Sequence, residues 1–136
     1  KMGGDYEFFG RPEWQDLKSA YGLEFAELVT MDSTLMYAAV TSGEVDVITA
    51  FSSDGRIPAF DLVLIEDTRH ALPPYDAVVL IGREAQQRPA VTEALSALDG
   101  KIDAEAMREA NRHVDLEGGS VAEAAARLEQ RIRDAR

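Results

Sequence analysis

A chain of 136 residues is long enough for one domain, or one lobe with an appendage, and can bury a sizeable core. Its 46% hydrophobic and 29% charged residues describe a folded globular protein, which excludes intrinsic disorder. A net charge of −11, from 14 basic against 25 acidic residues, argues against nucleic acid as a partner, and the lack of cysteine excludes disulfides and thiolate metal sites.

The chain opens with Lys1-Met2-Gly3-Gly4, which reads as the middle of a longer product with any targeting segment left out. No apolar run approaches the roughly 18–20 residues needed to span a bilayer. Asp5–Phe9 is expected to be a short strand broken by Gly10. Arg11-Pro12 then opens a helix, with proline in its favoured first turn, Trp14, Leu17 and Tyr21 on one face, and Gly22 as its stop. Phe25–Met31 reads as a second strand. Asp32 is a good N-cap for a helix to about Ser42, with Leu35, Met36, Ala39 and Val40 inward and Gly43 at its end. Val45–Ala50 is a third strand, and Leu62–Ile65 and Ala77–Ile81 are apolar enough to be strands buried on both faces.

Strands alternating with helices in the first half predict an α/β lobe with a largely parallel sheet. A boundary is expected near Pro73-Pro74, a stiff extended connection. From Arg83 onward the pattern is helical. Val91, Ala94, Leu95 and Leu98 make a stripe closed by Asp99-Gly100. Asp103 caps a helix presenting Met107, Ala110 and Val114. Ser120 and Glu123 have capping-box spacing ahead of a last helix with Val121, Ala124, Ala125, Leu128 and Ile132 inward. On that helix Arg127, Arg131, Arg133 and Arg136 alternate with Glu129 and Asp134, the pattern of a solvated face.

Chemistry concentrates at the strand ends. Arg11 follows Glu7-Phe8-Phe9-Gly10 beside a helix N-terminus, a setting suited to an anion; alternatively it pairs with Glu7 or Asp5 and ties down the chain locally. Phe51-Ser52-Ser53-Asp54-Gly55 directly follows a strand, where open α/β sheets hold their ligands. Phe51 offers a ring face to a quaternary ammonium, which has no N–H to donate. The plainer alternative makes Phe51 a core residue and Ser52 with Asp54 a capping turn. Tyr75 is aimed by two prolines, either into a ligand cage or merely over a junction. His70 and His113 lack partners at metal spacing, and no nucleophile–base signature or phosphate loop is present, so neither metal, cofactor nor catalysis is expected.

Three blocks, EFFGRPEW, YGLEFAELVTMDSTLMYAAVTSGEVDVITAFSSDGRI and DLVLIEDTRHALPPYDAVVL, together with the tail LDGKIDAEAMREANRHVDLEGGSVAEAAARL, resemble the substrate-binding proteins of ABC importers for glycine betaine, choline and carnitine. The resemblance implies one lobe of a type II periplasmic-binding-protein fold followed by C-terminal helices. Residues 1–73 would be the second lobe, and residues 74–136 the returning strand and closing helices of the first. It further implies an extracytoplasmic protein that closes on a quaternary-ammonium ligand and delivers it to the importer's permease. Phe51 and Tyr75 would be walls of the aromatic cage, Arg11 would hold the ligand carboxylate, and Glu7, Ser52 or Asp54 would lie nearby. Position 51 is Phe where the family commonly has Tyr. With the family's N-terminal region missing, the tail helices are expected to pack differently, or the chain to form a homodimer that covers its exposed face. The alternative function is a small-molecule sensor domain of a transcriptional regulator built on the same fold.

Overall fold

The computed structural model describes residues 1–134, so Arg136 lies outside the described residues. The chain divides into two compact units. One comprises Lys1–Phe51 with Phe60–Pro74, and the other comprises Ser52–Ala59 with the chain from Tyr75 onward.

The first unit is α/β. Strands β1 (Met2–Gly4), β2 (Leu28–Thr30) and β3 (Val47–Ile48) form a parallel sheet in the order β2-β1-β3, with Gly3 opposite Val29 on one side and Ile48 on the other. Helices α1 (Pro12–Tyr21) and α2 (Ser33–Ser42) are the crossovers that parallel strands require. Both helices begin and end on their sequence signals. Proline opens α1, the Asp32 side chain accepts from the Thr34 amide at 2.8 Å, and Gly22 and Gly43 take left-handed C-cap conformations. Met2, Trp14, Met36, Tyr37, Ala39 and Val45 are buried. On α2 the inward face is Met36, Tyr37 and Ala39, whereas Leu35, expected inside, is exposed.

The first strand lies three residues earlier than expected. Asp5 captures the amides of Glu7 and Phe8 at 2.8 and 2.9 Å, and Phe8–Gly10 coils into a single 3₁₀ turn. This local capture outcompetes a sheet ladder, as Asp commonly does beyond a strand end. The apolar Phe8-Phe9 pair that suggested a strand instead packs its rings on Trp14, with centroids 5.9 and 5.4 Å away. The runs Leu62–Ile65 and Ala77–Ile81 also differ from expectation, since neither joins a ladder. Val63, Ile65 and Leu80 are 87%, 82% and 90% exposed.

The second unit is helical among its described residues: α3 (Arg56–Ala59), α4 (Arg83–Gln86), α5 (Pro89–Ser96), α6 (Ala104–Asp115) and α7 (Val121–Asp134). Its buried apolar side chains are Ile57, Ala106, Ala110, Ala124 and Ile132. Small residues at spacings of four on α6 let that helix approach its neighbours closely. Asp103 accepts from the Ala106 amide at 2.8 Å, and Ser120 and Glu123 form the reciprocal capping box at the start of α7. The expected inner stripes are buried only in part on α6 and α7, where Val121 and Ala125 face solvent, and on α5 none of the stripe is buried, Ala94 and Leu98 being exposed. Arg131 and Arg133 lie on the solvated face, where Arg133 pairs with Glu129 at 3.1 Å. No helix among the described residues is long and apolar enough to cross a membrane.

Candidate functional site

Arg11 is the residue before α1, with its backbone extended and no side-chain cap of its own on the helix. The 3₁₀ turn sets the distance between Glu7 and Arg11, because the Gly10 amide donates to the Glu7 carbonyl and the Arg11 amide to that of Phe8. One turn apart, their side chains meet, Arg11 Nη2 donating to Glu7 Oε2 at 2.6 Å, both well exposed. Of the two local partners considered for Arg11, Glu7 is therefore the one observed, while Asp5 is occupied with backbone amides. Phe51 ends the first segment of this unit just beyond β3, with 71% of its surface exposed, so it is not a core residue.

Ser52 and Asp54 belong to the second unit. There the Ser52 carbonyl accepts from the Arg108 guanidinium at 2.6 Å and the Ser53 carbonyl from the Asn111 side chain at 2.8 Å. Gly55 is buried beneath α6, where a Cβ would stand 2.3 Å from the Arg112 backbone nitrogen, so only glycine allows this approach. The Asp54 carboxylate accepts from the Arg56 amide at 2.9 Å and from its guanidinium at 3.0 and 2.7 Å. Asp54 thus builds the turn into α3. Tyr75 follows Pro73-Pro74 with 65% of its surface exposed.

A second cluster in the first unit escaped the sequence reading. The Tyr21 hydroxyl donates to Asp67 at 2.5 Å and accepts from the Arg69 amide at 2.7 Å, while the Arg69 guanidinium lies 5.1 Å from the centre of the Tyr21 ring. The other Asp67 oxygen accepts from the Leu72 amide at 2.8 Å. The Leu72 amide first, and then the Tyr21 hydroxyl, hold the Asp67 carboxyl down to about 2. His70 within this turn has a left-handed backbone (φ 52°). A cavity of about 640 Å³ lies between the start of α1 (Pro12, Glu13, Asp16) and His70–Pro74, and none of the six predicted site residues lines it. A local clue existed in the polar run Glu66-Asp67-Thr68-Arg69-His70, but its partner Tyr21 is 46 positions away from Asp67.

The chain matches, over residues 1–128, the model of the substrate-binding domain of the ABC-type glycine betaine transport system. It is 34% identical over 103 residues to the carnitine transport binding protein OpuCC of Listeria monocytogenes, an alignment covering 75% of this chain and 33% of the relative. It is 30% identical over 117 residues to the ergothioneine transport permease/ergothioneine binding protein EgtU of Helicobacter pylori, covering 85% of this chain and 21% of the relative. Among solved structures it resembles a glycine betaine/carnitine/choline ABC transporter protein with a TM-score of 0.84 and 30% identity, over 95% of this chain and 48% of the other. The chain spans a third or less of the length of these two curated relatives. With a match across residues 1–128, the chain belongs to the family of substrate-binding domains of ABC-type glycine betaine transport systems.

Proposed function

We propose that this chain is part of the binding protein of an ABC importer and contributes to capturing small quaternary-ammonium osmolytes outside the cytoplasm for delivery to the importer's permease. The family match over residues 1–128 carries the reading. Residues 1–73 would form one lobe, and residues 74–136 would return to complete the other.

The relatives sharpen the ligand class. Carnitine, ergothioneine and glycine betaine all join a trimethylated nitrogen to a carboxylate. A methylated cation has no hydrogen to donate, so flat ring faces hold it by roughly 0.5–2 kcal/mol each. Phe51 and Tyr75, both exposed, supply such faces. The carboxylate calls for a guanidinium, the role assigned to Arg11. A primary amine is rejected because rings cannot replace the hydrogen bonds it makes in water. Ser52 and Asp54, in the turn just beyond Phe51, would lie beside the ligand, with the Ser52 carbonyl tied to Arg108 of α6 and the Asp54 carboxylate to Arg56 of α3. No catalytic step or cofactor is needed, and the relatives' names favour transport over the sensor alternative.

Titration calorimetry of the whole binding protein with glycine betaine, carnitine and choline tests the site. Phe51→Ala and Tyr75→Ala are each expected to weaken all three ligands, by about 2- to 30-fold. If neither changes affinity, the cage assignment is wrong; if no osmolyte binds the parent protein, the function is.

A further inference from the structure

The Glu7–Arg11 pair has a consequence for ligand choice, and it rests on the reading of Arg11 as the carboxylate holder. Glu7 presents to the guanidinium the same chemical group that a betaine would bring. Its oxygen stands 2.6 Å from Arg11 Nη2, within the range of a strong charge-assisted bond. The pair is preformed, because Asp5 fixes the Glu7 amide and the 3₁₀ turn fixes the spacing. It is also cheap to displace: the side chains are 75% and 42% exposed, and ion pairs in such settings are among the weakest in proteins.

We propose that Glu7 is a specificity-determining residue, an internal carboxylate that competes with the ligand's own for Arg11. The competition taxes carboxylated ligands and leaves choline, which has no carboxylate, free of that tax. Glu7 thereby narrows the preference for betaines over choline that Arg11 creates. A role confined to holding the turn would instead affect both ligand classes alike. The turn has independent support in the Asp5 carboxylate and in Phe8 and Phe9 packed on Trp14.

The test is the ratio of glycine betaine to choline affinity, measured by calorimetry on the whole binding protein. Glu7→Gln is expected to raise that ratio about two- to fivefold, the range set by an exposed ion pair. Arg11→Gln is expected to lower it, and the double variant to match Arg11→Gln alone. A ratio that stays fixed or falls in Glu7→Gln, while Arg11→Gln lowers it, overturns the competition and leaves the Arg11 reading standing. A ratio unmoved by Arg11→Gln removes both.

Discussion

The Asp67 carboxylate accepts from the Leu72 amide and the Tyr21 hydroxyl, and both bonds favour its charged form. An ordinary aspartate titrates near 3.8; this one is held down to about 2 in the folded chain. A group whose folded value is depressed contributes stability that is complete above its unfolded value and is lost as pH falls through the folded one. The turn from Asp67 to Leu72 should therefore lose support between about pH 4 and about pH 2. Thermal unfolding across that window is expected to fall more steeply for the wild type than for Asp67→Asn, which has no such titration. Parallel curves would show that the bonds do not matter to stability. The residue scale also marks the limit of reading from sequence. The Glu7–Arg11 pair is visible as a spacing of four. The docking of the Ser52 and Ser53 carbonyls on α6 joins positions 56 and 58 apart, which no local pattern encodes.

Among the elements, helix ends were the most legible, because a cap is a contract between residues two or three apart. Asp32, Asp103 and the Ser120/Glu123 box all cap where spacing placed them. At α7 the Ser120 amide donates to Glu123 at 2.8 Å, and the Glu123 amide returns a bond to the Ser120 hydroxyl at 3.2 Å. Bonds to the Ser120 amide and then its hydroxyl lower the Glu123 carboxyl from its usual value. Ser120→Ala is expected to cost about 1 kcal/mol, read as a lower urea midpoint with an unchanged slope. A midpoint within error of wild type would mean the box adds nothing at this exposed end. Strands were less legible for the converse reason: a ladder needs a partner that the strand's own residues do not specify. Parallel pairing is short here, with three residues on β1 and two on β3, and Asp5 diverts the chain before the apolar Phe8-Phe9 pair can extend it. Leu62–Ile65 and Ala77–Ile81 have strand composition but no ladder among the described residues.

Those two runs set the behaviour of the molecule as a whole. The chain covers 48% of the solved relative, yet Val63, Ile65, Val78 and Leu80 are all at least three-quarters exposed. Apolar extended segments with open backbone groups recruit partners by strand addition. Opposing this are the acidic flanks, Asp61, Glu66 and Asp67 around one run and Asp76 and Glu84 around the other, and the net charge of −11. Salt weakens only the opposing force, since the screening length shrinks from about 30 Å at 0.01 M to about 10 Å at 0.1 M. Dimerisation over such an exposed face is the sequence-based expectation that these runs bring to a test. At concentrations on the order of 100 μM the 136-residue chain is expected to sediment as a monomer in low salt and to self-associate as salt rises. Placing charges on the apolar run, as in Val79→Lys with Leu80→Glu, should keep it monomeric at every salt concentration. Sedimentation velocity decides between the outcomes. A wild-type chain that stays monomeric in high salt, or a charged variant that associates as readily, would show that these runs are not the adhesive surface.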